Sequence, residues 1–238
     1  MPSLSIVIPA YNEEKYIGAC LESIIKHGGS AITEIIVADN ASTDKTTDVA
    51  RRYPGVTVVT ETKRGANAAR QRGYEASRGE MVAFLDADIR MWEGWSVMVM
   101  QEFEKNPKLS CLSGPWIYYD MSRWQRALVW LYFRLLAIPT YWITGHLAIA
   151  GNVVLRRSVL EKMNGLDASI VFYGDDTNTA RRASEFGKMK FSLKLVMYTS
   201  ARRLSQDGLF KSAGAYIASF LSETILHKPH SAKYENFR

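Results

Sequence analysis

The chain has 238 residues, 47% of them hydrophobic, which is enough for one large core and too little for several ordinary domains. Lysine and arginine number 30 against 24 acids, a net charge of +6. That mild excess comes without dense basic runs, so it argues against a nucleic-acid binder and fits a negatively charged substrate or a membrane surface.

The opening Met1-Pro2-Ser3-Leu4-Ser5-Ile6 has no basic n-region and enters a strand at once, so no signal peptide is expected. Cys20 and Cys111 lie in apolar patterns and read as free buried thiols of a reducing compartment. The expected residence is the cytosol or the cytoplasmic face of its membrane.

Leu4 to Ile8 predicts a first strand, followed by the loop Pro9-Ala10-Tyr11-Asn12-Glu13-Glu14 and a helix from Lys15 to Lys26 with Asn12 as its cap. A phosphate-binding loop here would be rich in glycine, because phosphates need bare amides and a helix amino terminus. Two glutamates would repel a phosphate, so this loop suits a base or ribose, with the Tyr11 ring available for stacking. Glu34 to Asp39 predicts a second strand ending on an acid, and Asn40-Ala41-Ser42-Thr43-Asp44 leads into a helix reaching about Tyr53. Asp39 either accepts hydrogen bonds from a ribose or base amide or, with Asp44, merely caps the next helix. Val56 to Glu61 predicts a third strand. A helix from Ala66 to Ser77 follows, with Gly79 in the C-cap position. Lys63, Arg64 and Arg70 form a cationic cluster suited to a diphosphate.

Met81-Val82-Ala83-Phe84-Leu85-Asp86-Ala87-Asp88 is an apolar run that ends abruptly on two carboxylates. It predicts a buried parallel strand, and in open α/β sheets ligands sit beyond that end. Paired aspartates there suit a hard divalent cation such as Mg2+ or Mn2+, although aspartate is also common in strand-exit turns. The βαβαβαβ rhythm calls for a mostly parallel, doubly wound α/β sheet.

A helix from Trp92 to Glu104 and a strand from Lys108 to Ser113 come next. From Trp116 to Trp142 the character changes to dense aromatics, with Arg123, Arg126 and Arg134 on one narrow helical face. Arg126, Arg134 and Pro139 make this a poor transmembrane span. It reads equally as an interfacial helix with a cationic stripe or as a lid or dimer interface.

Leu147 to Arg156 predicts a strand with a close backbone approach at Gly151, and Ser158 to Met163 a short helix. Gly174-Asp175-Asp176 opens a helix through Glu185. Acids there suit the helix dipole, and a carboxylate held at a cleft mouth can also take a proton from a hydroxyl. Met189 to Thr199 predicts a last strand, Arg202 and Arg203 can reach a phosphate, and an amphipathic helix from Leu209 to Leu226 precedes a polar tail.

Val7-Ile8-Pro9-Ala10-Tyr11-Asn12-Glu13-Glu14, Val37 to Asp44, Gly65 with Ala69-Arg70 and Gly73, Phe84 to Asp88, Gly151-Asn152 and Gly174-Asp175-Asp176 stand in this order. In that order and spacing they resemble the family 2 glycosyltransferases. The resemblance implies a GT-A fold, Rossmann-like with a mostly parallel sheet flanked by helices and a C-terminal acceptor-side region. It divides the chain into a nucleotide-sugar-binding half over 1–115, an aromatic and basic helical insertion over 116–146, an acceptor and catalytic-base half over 147–226 and a polar tail over 227–238.

By the same resemblance, Pro9, Tyr11, Glu13 and Asp39 would cradle the base and ribose of the donor. Asp86 would face the ribose and the metal, Asp88 would ligate Mn2+ or Mg2+, and Asp176 would be the base of an inverting transfer. Arg70, Asp175, Arg202 and Arg203 complete the expected substrate contacts. Three spellings depart from the family: Gly-Asp-Asp stands where Glu-Asp is usual, Lys63-Arg64 precedes Gly65 where an asparagine is usual, and Gln71 stands where the family often has asparagine. Single-sugar transfer is expected rather than polymer synthesis, because the Gln-x-x-Arg-Trp motif of processive synthases is missing. The expected partners are a nucleotide-sugar donor, a glycan or lipid-linked acceptor, a membrane surface met through 116–142, and a second copy in a homodimer. The rival readings are a sugar-nucleotide nucleotidyltransferase, which would want a glycine-rich basic loop after the first strand, and a non-catalytic membrane-docking protein of the same fold.

Overall fold

The structure, a computed structural model, describes residues 3–170, 174–202 and 222. Strand β1 (Leu4–Ala10) is followed by α1 (Ile17–His27), β2 (Ile32–Asp39), α2 (Thr46–Ala50), β3 (Val56–Thr60), α3 (Ala66–Ala76) and β4 (Met81–Leu85). Then come α4 (Trp95–Lys105), β5 (Leu109–Ser113) and β6 (Trp116–Tyr118). A helical rod follows, made of α5 (Arg123–Tyr132), a π-helical turn (Phe133–Ala137) and α6 (Ile138–Thr144). Last are β7 (Asn152–Arg156), α7 (Arg157–Lys162), α8 (Asp175–Ser184), β8 (Lys188–Phe191) and β9 (Met197–Thr199).

Seven strands form one sheet in the order β3-β2-β1-β4-β7-β5-β8, and β6 pairs with β9 in a small second sheet. In the large sheet β7 alone runs against its neighbours β4 and β5, so the sheet is mostly parallel. The chain runs outward from β1 through β2 to β3 and then crosses back to lay β4 on the other side of β1. That reversal opens a crevice at the carboxyl ends of β1 and β4, where open sheets bind ligands.

The strands hold this sheet because they are apolar on both faces. In β4, Met81, Ala83 and Leu85 join Ile6, Ile8, Ile17, Leu21 and Trp95 in one core layer. Val82 and Phe84 point the other way, onto Val7, Tyr74, Val153, Leu160 and Ala183. Phe84 is fully buried, and burying such a side chain contributes about 1.5–3 kcal/mol. Gly73 lets α3 lie close on β1, since a Cβ there would come within 2.3 Å of a Val7 methyl. Cys20 and Cys111 are free and buried, and burial pushes both thiols up.

Local expectations differ from the structure where a long-range contact wins. Asn12 does not cap α1; it adopts a left-handed conformation (φ 53°), and its Oδ1 accepts from Thr43 N at 2.8 Å, stitching the loops after β1 and β2. The helix expected to reach Tyr53 shortens to α2, and Asp44 Oδ1 accepts from Thr46 N at 2.9 Å near its start. Ser77 rather than Gly79 ends α3, because the Gly79 amide donates to Ser5 Oγ at 2.7 Å. The strand expected over Leu147 to Arg156 begins only at Asn152. Met189 to Thr199 is two strands in different sheets, broken by a turn in which Leu195 N donates to Ser192 O at 3.0 Å. The expectations for Arg203, the helix from Leu209 to Leu226 and the tail lie outside the described residues.

Candidate functional site

Four loops meet at the carboxyl edge of the sheet. Pro9 and Ala10 close β1 beside Ala38 and Asp39 of β2, so the loops leaving both strands start at one level. The Glu13 amide donates to Thr46 Oγ1 at 2.7 Å and the Asn12 amide to Ser42 Oγ at 2.9 Å, which holds the two loops together. Asn40 extends the stitching to the loop after β3: its Nδ2 donates to Lys63 O at 2.7 Å and its Oδ1 accepts from Gly65 N at 2.9 Å. Asp39 is buried at the end of β2; Oδ2 accepts from Ser42 N at 3.2 Å, while Oδ1 is buried without a partner. A buried acceptor left unpaired costs about 1–3 kcal/mol, so Asp39 is suited to a donor group from a ligand. Tyr11 follows Ala10, the register partner of Asp39, in the loop after β1, with the Arg64 guanidinium over its ring at 5.7 Å from the centroid.

The β4 acids organise two ion-pair groups. Asp88 is buried, takes a hydrogen bond from Thr199 Oγ1 at 3.1 Å and pairs with Arg202 Nε at 3.0 Å. The same guanidinium pairs with the buried Glu13 at 2.6 Å and lies over the Tyr16 ring at 4.2 Å. Burial pushes the Asp88 carboxyl up to about 6; Arg202 opposes that rise, and the charges of Asp86 and Glu13 add to it. Asp86, the more exposed acid, pairs with Arg70 Nη2 at 3.1 Å, and Arg70 Nη1 pairs with Asp175. Arg70 is buried, so its guanidinium bridges two acids rather than opening toward a phosphate together with Lys63 and Arg64.

The antiparallel course of β7 brings its amino end to this rim, where Asn152 stands opposite Leu85. Gly151 has φ +78°, and a Cβ there would come within 2.5 Å of the Asp86 carboxylate. Next to it the Ala150 amide donates to Asp176 Oδ2 at 3.3 Å, while Thr177 N donates to Oδ1 at 2.8 Å. Asp176 therefore sits in the first turn of α8, facing β7 and the Asp86 loop. Burial and then the neighbouring Asp175 charge push its carboxyl up to about 7, against the two amides and Arg70. A small cleft of about 10 Å³, room for about one water, is lined here by Asn67, Arg70, Phe84, Ala150, Asp175 and Asp176. Asp39, Asp86 and Asp88 are not in that lining.

Among the described residues no cluster of three or more His, Cys, Asp or Glu groups could by itself hold a metal ion. Asp86 and Asp88 offer the hard oxygen ligands a divalent ion takes, and such an ion would compete with the Arg70 and Arg202 guanidiniums that now pair with them. Such an ion would draw its remaining ligands from a bound diphosphate and water. The Arg202 pairs with Glu13 and Asp88, 189 and 114 positions away, escaped sequence reasoning, as did the Thr199 bond. The only sequence signal was the Arg202-Arg203 pair after a strand, which had suggested a phosphate. Asn40 was missed as well, although its place directly after a strand-ending acid could have marked it.

Residues 5–163 match the pattern of the family described as Glycosyl transferase family 2. Over 128 residues the chain is 30% identical to the uncharacterized glycosyltransferase YibD of Escherichia coli K12, covering 51% of this chain and 37% of that protein. The first curated relatives are likewise matched over only about a quarter to just over a third of their lengths. Among solved structures, residues 1–349 of S. aureus TarS in complex with UDP superpose with a TM-score of 0.68 at 16% identity, covering 98% of this chain and 67% of that one. The mannosyltransferase PcManGT of Pyrobaculum calidifontis, in complex with GDP-Man and Mn2+, superposes at 0.66 with 21% identity, covering 91% of this chain and 64% of that one. The mostly parallel, helix-flanked sheet is thus a GT-A fold, and the chain belongs to glycosyl transferase family 2.

Proposed function

We propose that this chain moves one sugar from a nucleotide-sugar donor to an acceptor hydroxyl with inversion at the anomeric carbon, with Mn2+ or Mg2+ held by Asp86 and Asp88. The observation that carries this reading is Asp176. It is a carboxylate oriented by two backbone amides at a cleft wall and raised to about 7, and its neighbour Asp175 is tied through Arg70 to Asp86. A general base works best when its pKa lies near the working pH, and that position meets the condition.

In the reaction the acceptor oxygen attacks the anomeric carbon as Asp176 takes its proton. The bond from that carbon to the donor's diphosphate oxygen breaks, and its electron pair leaves with the nucleoside diphosphate. Attack opposite to the leaving group inverts the centre. A divalent ion, when bound, supplies positive charge against the diphosphate. The chain's own residues do the rest. Asp39 offers its unpaired Oδ1 to the base or ribose, and Pro9, Tyr11 and Glu13 shape the wall of that crevice. Arg70 holds Asp86 and Asp175 in fixed relation, so donor side and base side keep their spacing. Arg202, drawn off Glu13 and Asp88, is placed to meet a phosphate oxygen. The PcManGT complex with GDP-Man and Mn2+ supports the choice of donor class and metal.

The test is release of nucleoside diphosphate from UDP, GDP, dTDP and CMP sugars in the presence of Mn2+. Slow hydrolysis of one donor, abolished by Asp176→Asn or Asp88→Asn in folded protein, is the expected result. Silence across the panel would overturn the proposal and favour a binding protein of the same fold.

A further inference from the structure

The rod from Arg123 to Thr144 is apolar on both sides, which a helix lying on a water-soluble surface normally avoids. Its inner side is accounted for: Phe133 and Ala137 are buried against Leu147 and Phe191, and Tyr141 donates its hydroxyl to Met189 O at 2.9 Å. Its outer side carries Trp124, Leu128, Leu131, Leu135, Leu136, Trp142 and Ile143, all exposed, the last by 85%. An exposed apolar strip of this kind marks an interaction surface. The rod's charges are Arg123, Arg126 and Arg134, and it contains no acid.

We infer that this outer side docks in the plane of an anionic membrane surface, with Trp124 and Trp142 at headgroup level near the two ends of the rod.

Charge complementarity selects this occupant. A symmetric pair of copies meeting along the rod would set Arg123 and Arg134 against the same residues of the other copy with no carboxylate on either rod, whereas anionic headgroups answer both; the Arg126 guanidinium is already held by the Tyr119 and Met121 carbonyls. The rod is long enough and apolar enough to cross a bilayer. Crossing is nonetheless disfavoured, because it would tear Phe133 and Ala137 from their core partners and sink Arg134 toward the bilayer centre. Lying flat keeps the inner contacts and lets the Arg123 and Arg134 stems reach the headgroups. The cytoplasmic leaflet, which carries anionic lipid, is the matching surface. The rod also adjoins the base side of the cleft: Tyr132, half-exposed, lies near Asp176, and partial burial first, then that carboxylate, raises its phenol. Docking would therefore bring the base side of the cleft to the membrane plane, where a lipid-linked acceptor hydroxyl would be presented. This last step rests on the proposed sugar transfer; the docking itself does not.

The experiment is sedimentation of the whole chain with phosphatidylcholine vesicles, with and without phosphatidylglycerol, alongside tryptophan emission. Pelleting with phosphatidylglycerol vesicles, a blue-shifted emission and release by salt are expected. Arg123→Gln and Arg134→Gln should each weaken binding about five-fold. Trp142→Ser combined with Ile143→Ser should abolish pelleting while leaving donor hydrolysis intact, since both residues are exposed and outside the cleft. Absence of pelleting overturns the inference, as does unchanged pelleting of the serine variant. A dimer by light scattering that the serine variant dissolves, with no pelleting, assigns the face to a second copy instead. None of these outcomes depends on sugar transfer, so the docking and the catalytic reading fail separately.

Discussion

Asp176 gives the sharpest test of the chemistry. Its carboxyl is raised to about 7 by burial and by Asp175, and only the ionised form can accept the acceptor's proton. At about one pH unit below that value roughly a tenth of the sites are ionised, and at one unit above roughly nine tenths are. The rate should therefore rise about ten-fold between about pH 6 and pH 8. Asp175→Asn removes the neighbouring negative charge and should move the midpoint to lower pH, while Asp176→Asn should lose about 10²–10⁴-fold and the limb with it. Stability runs the other way. The folded state holds this proton more tightly than the unfolded chain does, so the contribution is present at low pH and fades as pH rises from the ordinary carboxylate range through about 7. The Asp176→Asn variant should consequently melt at higher temperature than the parent above that pH. The assay is kcat/KM for the accepted donor across that range with Mn2+ held saturating, beside thermal melts at each pH. A flat profile, or a limb that survives in Asp176→Asn, would refute the assignment of the base.

Three further outcomes follow from the same geometry. Asp88→Asn should fold and lose at least as much transfer as Asp176→Asn, because the charge on the departing diphosphate is the larger problem; retention of full activity with the right donor removes Asp88 from that role. Gly151→Ala should cost about 1–2 kcal/mol for the left-handed backbone alone and displace Asp86 from Arg70, which thermal unfolding and donor titration would read as lowered stability and weakened binding. In Arg202→Ala the guanidinium no longer competes for Asp88, so calorimetry should find Mn2+ alone bound more tightly; weaker binding would place Arg202 outside the cation's position.

Much of the site could be placed from the one-dimensional pattern. Apolar runs ending on Asp39 and on Asp86-Ala87-Asp88 can only be strands whose acids emerge at the ligand edge, because parallel strands joined by helices all point the same way. Gly174-Asp175-Asp176 opening a helix was legible for a similarly local reason. The limits were equally local. Met189 to Thr199 looks like one strand because its residue types suit a strand throughout, yet a turn through Ser192 and Leu195 sends its two ends into different sheets. Asn12 has the chemistry of a helix cap, but the loop after β2 offers it a better partner in Thr43.

Order of strands and acids along the chain was enough to specify a mostly parallel sheet and the edge at which its acids gather, since both follow from short-range periodicity and from the geometry of βα units. Which acid meets which arginine was decided only by the fold. Arg202 reaches Glu13 across 189 positions, Arg70 joins Asp86 to Asp175, and the Ala150 amide turns to Asp176 because β7 alone runs against its neighbours. Contacts of that kind depend on strand direction and loop packing over the whole sheet, and no local stretch of residues encodes them.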